Sequence, residues 1–478
     1  MRVSEYYQLG RTQPTLDFVD VDIRGDLRVF VDPKALRLLP TEWGDECVSL
    51  IQDFFRHVLQ LIRAGQHVEA RALLAQLREP NEVHLGLSRD RARGSALGDQ
   101  SAHDVWDALT RSEAVETGLL EDLEDTILMV PGIADDRVSD ISVNLIRGPL
   151  IRYTREMAGY HGIPLEPDVD SGPLWNPRTK EWYSELVPLP MTPAGRLLLV
   201  PKAVVRRRMT YDVEEYYRHY LLEFLQDLEL SNPNSDLVEL LKNGRRRVTK
   251  KALAEKYGRG KLTVIRQTRE HPEVLRRYRR DKEHSIRPAL SHQDLANEAG
   301  TPPPAWDELL EAVRRLSPGR EDSDEYELAV EALLTALFYP DLTNPVRQSR
   351  IHDGRKRIDI DYTNAAQSGF FFWLSHHYNA PRVFAECKNY SSDPSNPELD
   401  QLAGRFSPSR GKVGLLVCRN LEDKDLFLER CRDTARDDRG FIIALDDDDL
   451  AVLVQDVATN LDSRDFHLLR EHFRRLTD

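Results

Sequence analysis

The last third of this sequence predicts an α/β layer fold, a mixed central sheet flanked by helices, and the region ahead of it predicts a mostly α-helical α+β unit. Three observations carry this. From residue 324 onward, stretches of helical and of strand periodicity alternate. Two short apolar runs, Lys412–Cys418 and Phe441–Leu445, fit strands buried on both faces. Before residue 300, long amphipathic stretches dominate and alternating segments are few.

In chain order, Leu16–Ile23 and Leu27–Val31 alternate apolar and polar residues around Arg24-Gly25-Asp26, the pattern of a β-hairpin. Glu46–Arg63 is an amphipathic helix stopped at Ala64-Gly65, and Glu69–Leu77 reads as another. Gly86–Gly98 mixes glycines with Arg89, Arg91 and Arg93. Such a loop can wrap a phosphate through backbone N–H groups, but it lacks the G-x-x-x-x-G-K-S/T spacing and reads as a surface loop. Asp136, Asp140 and Asn144 fall at i, i+4 and i+8 of a helix, where solvated polarity or an interdomain contact outweighs a metal site. Residues 170–200, with Trp175 and Trp182, read as loops and a strand, and Val213–Leu228 as a helix.

Charge is segregated. The chain carries a formal net charge of −14, yet residues 242–287 hold 17 basic and 5 acidic side chains. This block contains Arg245, Arg246, Arg247, Lys250, Lys251, Lys261, Arg276 and Arg277, with Tyr257 and Tyr278 interleaved. It is the expected nucleic-acid-binding surface, gripping phosphates without reading sequence. The competing reading is a charged helix pair docked on the acidic amino-terminal region. Val248–Ile265, with its glycine break, loosely evokes a helix-turn-helix. Pro302-Pro303-Pro304 and Pro318-Gly319 bracket a short helix near Ala305–Arg315 and read as a linker. The expected organisation is residues 1–241 for recognition or regulation, 242–300 as the basic helical segment, 301–323 as the linker, and 324–478 as the α/β unit.

In that last unit, Asp324–Phe338 is a helix with a stripe of Tyr326, Val330, Leu333, Leu334 and Leu337. A turn at Asp353-Gly354 opens an alternating strand with Asp359 and Asp361 on its polar face. The stretch Val383–Lys388 reads VFAECK, and residues two apart on a strand share a face, so Phe384, Glu386 and Lys388 point together. A carboxylate beside an ammonium at a strand end suits metal-assisted phosphodiester cleavage. The carboxylate holds a hard cation, and the lysine holds and polarises a water. Pro397–Phe406 is a short helix placing Gln401 and Arg405 one turn apart. Helices at Lys424–Arg436 and from Leu450 complete the unit, and Phe370-Phe371-Phe372-Trp373 reads as a packing face for a helix over the sheet.

This succession resembles the PD-(D/E)xK, or restriction-endonuclease-like, nuclease superfamily, over about the last third of the chain. The resemblance places the family's helix glutamate on Glu327, its strand aspartate on Asp359, its E-x-K on Glu386 and Lys388, and its helix glutamine on Gln401. No proline precedes the aspartate, and the 27-residue step from Asp359 to Glu386 (386 − 359) requires an insertion; Asp361 stays open as the alternative ligand. The resemblance implies Mg²⁺ or Mn²⁺ held by Asp359, Glu386 and the carbonyl of residue 387, with Lys388 on the attacking water. It implies Gln401 orienting Lys388, and Glu327 aligning the site or holding a second ion. It also implies a nuclease, a DNA endonuclease acting on double strands being the leading form, of a kind that often serves bacterial defence against phage.

Two other functions compete with this one: a non-catalytic nucleic-acid-binding or sensor protein with a degenerate nuclease fold, and an assembly scaffold whose basic block neutralises neighbouring subunits in a homo-oligomer. Composition narrows the setting. No apolar run approaches the roughly 18–20 residues that span a bilayer, and the amino terminus shows no signal-peptide core. Cys47, Cys387, Cys418 and Cys431 lack metal or disulfide spacing. The expectation is a soluble cytoplasmic protein.

Overall fold

The computed structural model describes residues 1–86, 105–110, 119–283, 287–351, 356–460 and 464–477. Apart from Gly86, the Gly86–Gly98 loop therefore lies outside the described residues, as does the Asp353-Gly354 turn. The chain is a mixed helix–sheet protein with two hydrophobic cores. One gathers residues between Val3 and Leu295 together with Tyr339, and the other runs from Leu310 to Leu476.

The first core is mostly helical. Thr41 caps the helix Glu42–Arg63, its hydroxyl accepting from the Gly44 N–H at 3.0 Å. The apolar stripe of that helix, including Ile51, Phe54, Phe55 and Val58, is buried. The expected hairpin at Leu16–Val31 does not form. Phe30–Val31 pairs instead with Val205–Arg206, and the Val19 N–H reaches the Val200 carbonyl. The reason is burial on both faces: Phe18, Val19, Val29 and Val31 are all enclosed, so the segment threads the core and takes its hydrogen bonds from distant chain. Residues 166–189 form short antiparallel ladders, Glu166–Asp170 with Leu186–Leu189 and Leu174–Asn176 with Glu181–Tyr183. The predicted helix at Val213 runs to Ser231 and contains one wide turn at Tyr217–Leu221.

The basic block forms helices Lys250–Tyr257, Lys261–Glu270 and Pro272–Glu283, separated by Gly258 and Gly260 and by His271. They bury Leu253, Val264, Leu275 and Tyr278 in the first core. The helix Trp306–Arg314, inside the expected linker, sends Leu310 and Val313 into the second core.

The second core is built on helix α1 (Ser323–Phe338), strands β1 (Leu342–Ile351) and β2 (Lys356–Asn364), helix α2 (Gly369–His377) and strand β3 (Arg382–Lys388). Helix α3 (Asn396–Ala403), strand β4 (Val413–Cys418), helix α4 (Lys424–Arg436), strand β5 (Phe441–Leu445), and helices α5 (Asp447–Thr459) and α6 (His467–Thr477) follow. The strands form one five-stranded sheet in the order β1-β2-β3-β4-β5. The first two pairings are antiparallel and the last two parallel. Strand β3 is thus central, and β4, buried throughout, reads as the continuous apolar run it is. The stripe expected on α1 is buried residue for residue. Helix α2 fills the long step between Asp359 and Glu386, burying Phe370, Phe371 and Leu374.

Candidate active site on the central strand

The register of β2 against β3 decides what meets what. Ile360 faces Ala385 and Asp361 faces Phe384, so one step further sets Asp359 across from Glu386. Residues opposite one another in an antiparallel pair share a face, so this register puts the two residues on one face of the sheet. The Asp359 Oδ2 accepts the Cys387 N–H at 3.0 Å, which fixes the side chain against the end of β3.

Glu386 is fully buried. Burial pushes its carboxyl up to about 7, and the charge of Asp359 adds to this against the pull of Lys388. One oxygen, Oε1, accepts from the Lys388 amine at 2.9 Å and from the Gln401 amide. The other, Oε2, is buried with no hydrogen-bond partner. Lys388 also donates to the Gln401 Oε1 at 3.4 Å. Burial works against the charged amine, but the Glu386 carboxylate outweighs it and holds Lys388 above its ordinary value.

Glu327, on α1, lies close enough to feel the charge of Asp359, though burial is the main cause of its raised pKa. Its Oε1 accepts from Gln348 at 2.6 Å and from Arg347 at 3.2 Å. Gln348 sits on β1 with φ of 51°, a left-handed conformation unusual for a side-chain-bearing residue. Asp361 is committed elsewhere: its Oδ2 binds Arg382 at 2.7 Å, and burial pushes it up to about 6. Between the two aspartates left open by sequence, Asp359 is the one beside Glu386. Arg347, Gln348 and Arg382 carry no local sequence signal, because their roles arise from strand pairing and the packing of α1.

The orphaned Glu386 Oε2 tests whether an ion fits. A buried carboxylate oxygen without a donor, next to a second carboxylate, is the donor set a hard divalent cation takes. Among the described residues no cluster of three or more His, Cys, Asp or Glu side chains gathers for a metal, so remaining ligands would be backbone carbonyls and water, as is usual for Mg²⁺.

The basic block divides. Arg245, Arg246, Arg247, Lys251, Arg276 and Arg277 are exposed, with Arg277 over the Tyr220 ring. Lys250 is held by the Arg218 carbonyl at 2.7 Å and Glu223 at 3.1 Å. Lys261 donates to the Ile133 carbonyl at 2.7 Å, and burial pulls its pKa down to about 8. Asp140, on the helix Asp135–Leu145, is pushed well up by burial and by Asp136 and Glu79, while Asn144 donates to the Arg78 carbonyl.

Compared with known proteins, residues 8–212 match a family model described as a domain of unknown function (DUF8370). That match lies within the first core and does not reach the sheet. No curated protein and no solved structure matches the chain. Among the described residues, no helix is long and apolar enough to cross a membrane.

Proposed function

We propose that this chain is a divalent-metal-dependent nuclease of the restriction-endonuclease-like kind that hydrolyses phosphodiester bonds, with double-stranded DNA as the first substrate to test. The observation that carries the reading is the closeness of Asp359 to the end of β3, where its Oδ2 accepts the Cys387 N–H and its charge acts on Glu386, with Lys388 bonded to that same Glu386. Asp359 and Glu386 would hold Mg²⁺ or Mn²⁺. When bound, such an ion stabilises charge on the phosphoryl group and makes water more acidic. Lys388 holds the attacking water or a phosphoryl oxygen, and Gln401 fixes the amine through its carbonyl while its amide fixes Glu386. Glu327, itself clamped by Gln348 and Arg347, sets the electrostatic background of Asp359. The exposed arginines 245–247, with Lys251, Arg276 and Arg277, supply salt-dependent, sequence-independent contact to the polynucleotide. A role in defence against phage is a further part of this proposal.

The test is cleavage of plasmid DNA with Mg²⁺ or Mn²⁺. Wild type should nick or cut, and Lys388→Ala should reduce the rate roughly 100-fold or more. Equal, metal-independent rates for both proteins would end the nuclease reading. Binding that persists in Glu386→Gln, without cleavage by wild type, would favour the non-catalytic alternative.

A further inference from the structure

A second charged group sits beside the candidate site without a partner. Arg405 follows α3 by two residues and is only 8% exposed. Among the described residues its guanidinium meets no carboxylate at salt-bridge distance, and its Nε is a buried donor without an acceptor. It is nevertheless near enough to Glu386 to pull that carboxyl down electrostatically. A buried cation thus lies near a buried anion whose free oxygen, Oε2, is also unpaired. Burying a donor without an acceptor is costly, and the fold nonetheless fixes the residue in place. The Arg405 N–H donates to the Leu402 carbonyl at 2.9 Å. Its neighbour Phe406 stacks on Phe384, ring centres 6.0 Å apart, and Phe384 shares the face of Glu386 and Lys388. Its carbonyl accepts from Arg410 at 3.1 Å, and the Arg410 Nε is likewise buried without an acceptor.

We propose that Arg405, supported by Arg410, forms an anion subsite for phosphoryl oxygens of the substrate. The planar guanidinium fork matches a phosphoryl group, and its buried Nε–H, which lacks an acceptor, is a donor such a ligand would satisfy. The Glu386 carboxylate near it opposes an anion, so occupancy strengthens when a divalent cation is present. The proposal rests on the nuclease reading for the identity of its substrate, but the subsite can be tested without turnover.

Inorganic pyrophosphate and Mn²⁺ are titrated separately and together into the full chain by calorimetry, with thermal denaturation in parallel. Arg405→Gln should weaken pyrophosphate binding at least tenfold, leave Mn²⁺ binding equal or tighter, since a neighbouring positive charge is gone, and leave the unfolding temperature equal or higher, since a buried donor without an acceptor has been removed. Arg405→Lys, which keeps the charge and loses the fork, should fall between. Unchanged pyrophosphate binding in Arg405→Gln overturns the subsite, as does a lowered unfolding temperature with parallel loss of Mn²⁺ binding, which marks a structural arginine. If wild type fails to cleave any polynucleotide but pyrophosphate binding depends on Arg405, the subsite stands and the nuclease reading falls. If wild type cleaves and Arg405→Gln matches it in kcat/KM and in pyrophosphate binding, the subsite falls alone.

Discussion

Glu386 is asked to do two things with two oxygens. Oε1 is tied to Lys388 and Gln401, and Oε2 is left without a partner. Glu386→Gln keeps the shape and removes the charge, and Mn²⁺ affinity measured by calorimetry should fall at least tenfold, or about 1.4 kcal/mol. Undiminished affinity would place the ion elsewhere. A second residue-scale expectation concerns pH. Asp341, just before β1, is buried, its Oδ2 lacks a partner, and burial pushes its carboxyl up to about 7 against the pull of Arg464. Between about pH 4 and pH 7 the folded chain keeps a proton that the unfolded chain has released. That contribution is fully present at the acid end and is lost as pH rises through 7. Asp341→Asn should flatten this decline, a difference on the order of a few kcal/mol in denaturant unfolding. A decline of the same size in the variant would assign it to other groups.

At the scale of elements, periodicity carried most of the second unit. Helix α4 and strand β5 lie where the apolar spacing puts them, because α4 faces the core with one regular stripe and β5 is a short apolar run buried on both faces. Starts were harder to read. Helix α5 begins three residues before Leu450, because Asp446 caps it by accepting from the Asp448 and Asp449 N–H groups, so a run of aspartates is a cap and not a loop. Helix α6 spaces Leu469, Phe473 and Leu476 at i, i+4 and i+7, a signal diluted by its neighbouring charges. Caps make a direct prediction. Thr41→Ala should cost about 1 kcal/mol, while Thr41→Asn, which keeps an acceptor, should cost little; equal losses would mean the hydroxyl is not the cap. The partners of a carboxylate are a different matter. Periodicity could place Glu327 on α1, but only the fold brings Gln348 to it.

Across the whole molecule, the two cores are joined by buried polar contacts that no local pattern announces. Arg11 reaches Glu331 at 2.6 Å, and the Asn344 N–H donates to Asp17 at 2.9 Å. Glu331 has no local signal beyond its place on the Asp324–Phe338 helix, and the buried Asp17 sat in what looked like a hairpin. Arg11→Ala leaves the fully buried Glu331 without its guanidinium and should cost about 3 kcal/mol in global stability. The double variant Arg11→Met with Glu331→Leu should recover much of that loss; no recovery would mean the pair itself is not responsible. The basic block shows the same limit. Its charge is plain in the sequence, but Arg279 gripping Asp125 and Lys282 meeting Glu215 at 2.8 Å show part of it spent on holding the first core together.

Helix α1 carries Glu327 toward Asp359 and, one turn on, Glu331 toward Arg11. Where two sites are coupled through one such element, the coupling free energy is reciprocal. If a ligand on the amino-terminal core tightens Mn²⁺ binding at the proposed site by some factor, Mn²⁺ tightens that ligand by the same factor, so either one can serve as the reporter for the other.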